Sequence, residues 1–236
     1  MPTEREVYQA HADQYERLIQ REDYQNNLLA AIQDYFPLNK NVDLIELGAG
    51  TGRLTRLLAP CVRSIRAFDA SAHMLEIAEK SLRETGLSNW QTGVADHRNI
   101  PVKDSSADLV IAGWSFCYLA VWGGADWKSA LRDGYTEIQR VLHPGGMVII
   151  LETLGTGSEK PNPPEHLRAY FDWLTGTGFE RSWMRTDYRF ESIEEAVELS
   201  TFFFGEEMGR KVRENNWQSL PECTGIWWKR VKSGHV

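Results

Sequence analysis

A glycine-rich turn constrains the fold more than any other feature of this sequence. Gly48, Gly50 and Gly52 separate an apolar segment at 42–47 from a segment with helical periodicity at 53–58. Glycine lets the backbone pass close to a ligand, because no Cβ intervenes. The helix start then offers free N–H groups and a positive dipole end, which favour a carboxylate or a phosphate. The turn therefore predicts a strand–turn–helix unit with a ligand at its centre.

Strand and helix patterns alternate through the middle of the chain. Short apolar runs predict strands, and apolar residues recurring every three or four positions predict helices. After the glycine turn the predicted strands are 64–68, 90–94, 107–112 and 147–152, and the predicted helices are 72–84 and 126–141. This alternation is typical of the α/β class, in which helices cover both faces of a parallel sheet.

The two ends of the chain carry different patterns. The first part predicts a helix over 6–35, broken near Glu22, and the last part predicts a helix at 164–176, a strand at 180–190, a helix at 191–214 and a strand at 222–231. No linker is long enough to separate two domains. We therefore expect one domain over 1–236, with N-terminal helices at 1–36, a ligand-binding core at 40–153, and a loop-rich insertion with the last two strands at 154–236.

Composition and charge argue against several classes of partner. The chain has 236 residues and a formal net charge of −7, which gives no general attraction to nucleic-acid phosphates. No apolar run approaches the roughly 20 residues that a membrane helix needs, and no signal peptide pattern is present. The three cysteines are widely spaced and form no zinc pattern, so reduced thiols and no metal are expected. We expect a cytoplasmic protein without a nucleic-acid or membrane partner, either a monomer or a homodimer.

The glycine spacing also discriminates between cofactor classes. A dinucleotide site requires Gly-x-Gly-x-x-Gly, but Arg53 occupies the position of the last glycine. A Walker A loop is excluded because no Gly-Lys-Ser/Thr follows. An NAD-dependent oxidoreductase therefore stays open only as the weaker alternative.

The segment Glu46-Leu-Gly-Ala-Gly-Thr-Gly52 resembles the first signature of the class I S-adenosylmethionine (SAM)-dependent methyltransferases. Four further features follow in that family's order: Asp69 after the second strand, Ala95-Asp96 after the third, Ser106–Val110 at the start of the fourth, and Arg140–Gly146 before the fifth. Within the class, the chain is similar to small-molecule methyltransferases such as those of quinone biosynthesis. The resemblance implies a doubly wound, seven-stranded Rossmann-like sheet whose last strand is antiparallel, with 182–190 as the sixth strand and 224–230 as the seventh.

The resemblance implies SAM as cofactor and S-adenosylhomocysteine (SAH) as product. The Asp69 carboxylate would accept both ribose hydroxyls, Asp96 would accept from the adenine amino group, and Met74 would pack on the adenine face. Glu46 would order the glycine turn or lie near the methionine part of SAM. The alternatives are helix capping by Asp69, loop capping by Asp96, a core position for Met74 and a Glu46 satisfied by loop amides. Residues 8–15 resemble a lid helix over SAM. The candidate cofactor-binding residues are Tyr15, Glu46, Gly48, Ala49, Gly50, Gly52, Asp69, Ala70, Met74, Ala95, Asp96, His97, Gly113 and Trp114.

The acceptor side is predicted after the fourth strand, because ligands bind at the carboxyl ends of strands in doubly wound folds. Ser115 and Tyr118 are the candidate acceptor contacts, and the aromatic residues up to Trp127 indicate an apolar or aromatic small molecule. A hydroxyl or carbon nucleophile usually needs a base, for which His11 and Glu152 are candidates. Because neither is a certain base, a non-catalytic module that binds SAM or SAH is the second alternative.

Overall fold

A seven-stranded sheet forms the centre of the computed structural model, which describes residue 6 and residues 10–231. The strands are β1 (Asp43–Leu47), β2 (Ser64–Asp69), β3 (Trp90–Val94), β4 (Ala107–Gly113), β5 (Leu142–Thr156), β6 (Glu180–Arg185) and β9 (Glu222–Arg230), and a separate small sheet pairs β7 (Tyr188–Arg189) with β8 (Ser219–Leu220). The strand order of the large sheet is β3-β2-β1-β4-β5-β9-β6, and β9 runs antiparallel to both of its neighbours. This confirms the predicted α/β class and the antiparallel last strand.

Helices flank the sheet because successive residues of the central strands bury their side chains on opposite faces. Val110 and Ile150 belong to one apolar cluster, whereas Leu109 and Ile149 belong to another. The helices are α1 (Ala12–Ile19), α2 (Asn27–Tyr35), α3 (Arg53–Leu58), α4 (Ala72–Glu84), α5 (Tyr118–Val121), α6 (Trp127–Val141), α7 (Arg168–Gly176), α8 (Ile193–Phe204) and α9 (Glu206–Glu214). In the part of the chain described here, no helix combines the length and the apolar character needed to span a bilayer.

The predicted N-terminal helix over 6–35 is two helices, α1 and α2. Asp23 and Asn26 adopt left-handed backbone angles (φ 58° and 59°) between them, which a continuous helix cannot contain. The Asp23 carboxylate accepts hydrogen bonds from the backbone N–H groups of Asn27 and Leu28, and so caps the start of α2. Tyr8 and Gln9 of the predicted lid helix lie outside the described residues.

The predictions for the last third of the chain were wrong in two places. The strand predicted at 180–190 ends at Arg185, because the Asp187 carboxylate turns inward to accept from the Glu222 backbone N–H and the Arg185 side chain. The helix predicted at 191–214 divides at Gly205, whose φ of 93° lies outside the helical region. β5 is also longer than predicted, because residues 142–146 and 153–156 continue the strand.

Candidate functional site

A cavity of about 470 Å³ opens where the parallel strands end, which is the ligand position expected of this architecture. The ends of β1, β2, β3 and β4 each contribute to its wall. Its lining residues are Tyr15, Gly48, Gly50, Asp69, Ala70, Ser71, Met74, Asp96, His97, Arg98, Gly113, Trp114, Ser115, Tyr118, Leu119, Trp122, Gly123 and Ala130. The structure thus brings together ten of the fourteen candidate cofactor residues and both candidate acceptor residues.

Asp69 fixes the glycine turn from the end of β2. One carboxylate oxygen accepts from the Gly50 backbone N–H at 2.8 Å, and the other accepts from the Ser71 N–H at 2.8 Å. The Ser71 side chain, rather than Asp69, caps helix α4 by accepting from the Met74 N–H. Burial raises the pKa of the Asp69 carboxyl above its usual range, although these N–H donors oppose that effect. Asp69 is therefore a constrained carboxylate on the cavity wall.

Gly48 lets the turn approach the segment after β4. Its φ is 69°, and its backbone N–H donates to the Phe68 carbonyl at 2.7 Å. The Ser115 hydroxyl packs against it, donates to the Leu47 carbonyl at 2.9 Å and lies 3.3 Å from Nε2 of His97. Because the Ser115 hydroxyl uses its hydrogen on Leu47, the His97 Nε2–H is the donor in that contact. The turn, Ser115 and His97 thus form one hydrogen-bonded unit.

Asp96 lines the cavity, and both of its carboxylate oxygens accept hydrogen bonds from Arg98. Its carboxylate accepts from the Arg98 backbone N–H at 2.8 Å and from the Arg98 guanidinium at 2.7 Å on each oxygen. This guanidinium holds the pKa of the Asp96 carboxyl at about 2. The loop-capping alternative therefore describes contacts that Asp96 makes in the structure, while its predicted contact with adenine stays a prediction.

Trp114 adopts an unusual backbone conformation where it lines the cavity. Its φ is 50°, a left-handed value that is costly for a large side chain and that is found mainly where the surroundings impose it. Its N–H donates to the Leu151 carbonyl at 2.7 Å, and the Arg53 guanidinium lies 4.0 Å from its ring centroid. Sequence reasoning treated Arg53 only as a missing glycine and overlooked this contact.

Four candidate cofactor residues lie behind the cavity wall. Glu46 is buried and accepts from the Thr55 hydroxyl at 2.5 Å, and burial raises its pKa to about 8. Gly52 packs on Ala78, since a Cβ there would lie 3.0 Å from that methyl group. The remaining two, Ala49 and Ala95, pack in apolar clusters. Glu46 thus links the end of β1 to helix α3, and its predicted role at the glycine turn or near the methionine part of SAM stays a prediction.

The two candidate bases do not reach the cavity. His11 is exposed, with its ring 6.0 Å from that of Phe202. Glu152 is buried, and its Oε1 accepts from the Cys117 backbone N–H and from the Tyr170 hydroxyl, both at 3.0 Å. Burial raises the pKa of Glu152 to about 7. The expectation that both lie at the crevice is corrected: Glu152 is not at a strand end, because β5 continues to Thr156.

We expect Glu152→Ala to destabilise the protein by about 2–4 kcal/mol, because the substitution leaves the Cys117 N–H and the Tyr170 hydroxyl buried without their acceptor. Urea unfolding measures the loss, and Glu152→Gln, which keeps one acceptor oxygen, should lose less. Equal stability of the alanine variant and the wild type would contradict this structural role.

His97 predicts a specific pH dependence of stability. Burial lowers its pKa from the usual 6.5 to about 4, so the folded protein holds the ring neutral. Between pH 6.5 and pH 4 the unfolded chain binds the extra proton, and the free energy of unfolding should fall by roughly 2–3 kcal/mol from this group. Unfolding curves of the wild type and His97→Asn across this window isolate the contribution. Parallel pH profiles would contradict it.

The described residues contain no group of three or more histidine, cysteine or acidic side chains arranged to hold a metal ion. The acidic and arginine side chains that line the cavity are Asp69, Asp96 and Arg98. The chemistry available there is hydrogen bonding and apolar contact with an organic ligand.

Comparisons with known proteins agree with this geometry. Residues 45–150 match the model of the methyltransferase domain family. The chain is 31% identical to malonyl-[acyl-carrier protein] O-methyltransferase of Marinomonas sp., over 72% of this chain and 58% of that protein. It is 29% identical to demethylmenaquinone methyltransferase of Staphylococcus epidermidis, over 62% of this chain and 58% of that protein. The matches thus span little more than half the length of these relatives.

A solved structure shares the fold. The YcgJ protein of Bacillus subtilis superposes with a TM-score of 0.60, covering 89% of this chain and 100% of that one. Its sequence is 16% identical, so the likeness concerns architecture alone.

Proposed function

The chain belongs to the class I SAM-dependent methyltransferase family through residues 45–150, and on that premise we propose that it transfers a methyl group from SAM to a small-molecule acceptor. The observation that carries the proposal is the link between Asp69 and the glycine turn. The Asp69 carboxylate, proposed to bind the ribose hydroxyls, lies on one cavity wall with the glycine turn and accepts from the Gly50 N–H at 2.8 Å.

The cavity fits an adenosyl cofactor in shape and donor chemistry. Gly48 and Gly50 line the wall where the methionine end would lie, and Asp69 offers acceptors for the ribose. Buried Met74 and the neutral His97 ring would flank the adenine. When bound, SAM supplies a methyl group already activated on its sulfonium. The chain's own task is then to orient the acceptor and to exclude water.

An aromatic pair supports an apolar or aromatic acceptor. Tyr118 and Trp122 stack with ring centroids 4.2 Å apart and line the cavity beside Leu119 and Ala130. Trp122 is nevertheless 41% exposed. A large apolar ring left partly exposed at a cavity rim is typical of a site that receives an apolar ligand. In this proposal Tyr118 contacts the acceptor, as the sequence predicted, and Trp122 joins it.

The proposal also includes the N-terminal segment as a lid. α1 contributes Tyr15 to the cavity, and the Tyr15 ring lies 5.5 Å from that of Phe203 on α8. Burial raises the pKa of the Tyr15 hydroxyl above its usual value, so it remains a neutral hydrogen-bonding group. We also propose a cytoplasmic enzyme that does not bind nucleic acid, and the net charge of −7 supports the second point because it gives no general attraction to phosphates.

A turnover assay tests the acceptor class. The chain is incubated with methyl-labelled SAM and a fractionated metabolite extract, and products are partitioned between water and an organic solvent. We expect label in the organic phase, and none with Gly48→Ala. Label appearing only in added protein or RNA would overturn the small-molecule acceptor. SAM binding with no transfer to any fraction would favour the non-catalytic module.

A further inference from the structure

Two arginines on α3 connect the glycine turn to the N-terminal segment 12–22, which consists of α1 and the residues that follow it up to Glu22. Arg56 donates to the Thr51 carbonyl of the turn at 3.0 Å and also forms an ion pair with Glu16 at 2.8 Å. Arg53, the first residue after the turn, forms an ion pair with Glu22. α3 therefore binds the segment over the cavity at two points, one at the end of α1 and one just beyond it.

Both ion pairs are largely removed from solvent. The Arg53 and Arg56 side chains are 19% and 23% exposed, and those of Glu22 and Glu16 are 4% and 12% exposed. Glu22 also accepts from the Tyr188 hydroxyl at 3.2 Å. Removing one partner of such a pair leaves a charge buried and unpaired, which is more costly than losing an exposed pair. These contacts therefore have the strength to hold the segment in place.

Each arginine also supports one side chain of the cavity wall. Glu16 adjoins Tyr15, so the Arg56 ion pair fixes the last turns of α1 where Tyr15 enters the cavity. Arg53 lies against the Trp114 ring and keeps this strained residue in position. A ligand bound at the glycine turn would therefore contact both Tyr15 and Trp114, and helix α3 supports both of these residues.

We propose that Arg53 and Arg56 are positioning residues that couple the glycine turn to the Tyr15 and Trp114 walls, and so slow the escape of bound SAM or SAH. The inference rests on the proposed function, because it requires the cofactor in this cavity. Coupling is reciprocal: ordering of the turn by ligand strengthens the hold on α1, and the hold on α1 retains the ligand. We therefore expect loss of these contacts to change the dissociation rate of SAM or SAH more than the association rate.

A second ion pair of α1 provides a matched control. Arg17 pairs with Glu198 of α8 at 2.9 Å, but both side chains are about half exposed. Exposed pairs of this kind contribute little to stability. Arg17→Gln removes a positive charge, as the Arg53 and Arg56 variants do, but it removes it from α1 and away from the glycine turn and the cavity.

The test measures association and dissociation rates of SAH by stopped flow. We expect Arg53→Gln, Arg56→Gln and Glu16→Gln each to raise the dissociation rate at least tenfold with association changed less than threefold, and Arg17→Gln to leave both rates unchanged. In the Arg56→Glu background, Glu16→Arg should slow dissociation at least threefold, because the ion pair is rebuilt with reversed charges. A merely structural defect would not be rescued in this way.

Two results would overturn the proposal. The first is an SAH dissociation rate equal to that of the wild type in folded Arg56→Gln and Glu16→Gln. The second is the absence of rescue when Glu16→Arg is combined with Arg56→Glu. If an arginine variant fails to fold, the dissociation rate of Glu16→Gln tests the proposal instead, because this variant leaves the contact between Arg56 and the turn intact. Wild-type protein that binds no SAH would instead refute the proposed function, so the two failures are distinguishable.

Discussion

Gly48→Ala should lower SAH affinity at least about a hundredfold, which corresponds to about 2.8 kcal/mol, and should cost about 2–5 kcal/mol of stability. A Cβ at this position would lie 2.2 Å from Cβ and 2.3 Å from Oγ of Ser115, so the turn or the segment after β4 must move. The left-handed φ of 69° adds its own penalty for any residue with a side chain. Calorimetric titration and urea unfolding measure the two effects.

The Gly86→Ala variant distinguishes the steric clash with Ser115 at Gly48 from the energetic cost of a left-handed φ. Gly86 has nearly the same φ, 70°, but a Cβ there would meet no atom within 4 Å. We expect a stability loss of about 1–2 kcal/mol and no change in affinity, because only the left-handed conformation is penalised. Equal losses of affinity in the two variants would show that Gly48 has no special place in the site.

Asp69→Ala should weaken SAM and SAH binding by about 1.5–3 kcal/mol, or roughly 10- to 150-fold. The substitution removes the acceptor proposed for the ribose. It also frees the Gly50 and Ser71 N–H groups, which would leave the glycine turn less ordered. Calorimetric titration at several salt concentrations measures the loss, and a charged hydrogen bond shielded in the cavity should be only weakly salt-dependent.

Two variants control for general effects of removing charge. Asp69→Asn retains one acceptor oxygen and should lose less affinity than the alanine variant. Asp43→Asn removes a carboxylate at the opposite end of the sheet, where it pairs with Arg63, and should leave affinity unchanged. Wild-type affinity in a folded Asp69→Ala protein would remove Asp69 from the binding site.

The central part of the fold was predictable because its signals are local. Apolar runs and helical periods mark the strands and the helices between residues 43 and 141 except α5, and α4 and β3 have the bounds that the sequence predicts. The errors arise where distant contacts decide the backbone. The break before β7 depends on the hydrogen bond from the Glu222 N–H to the Asp187 carboxylate, and these residues are 35 positions apart. No local sequence pattern predicts that contact.

The same distinction applies to the site. The glycine turn and Asp69 were identifiable, because a strand end followed by glycine or a carboxylate has direct chemical meaning. Arg53 was not identifiable, because its significance depends on Glu22, 31 residues earlier, and on Trp114, far along the chain. Glu152 was placed at a strand end by its apolar run, but the strand continues and the side chain is buried against Tyr170.

The most direct test of the central claim is calorimetric titration of the wild-type chain with SAM, SAH and NAD. The proposed cofactor site predicts one-to-one binding of both adenosyl ligands, no binding of NAD, and loss of the SAM and SAH signals in Gly48→Ala. Binding of NAD with no binding of SAM or SAH would contradict it and would restore the oxidoreductase alternative.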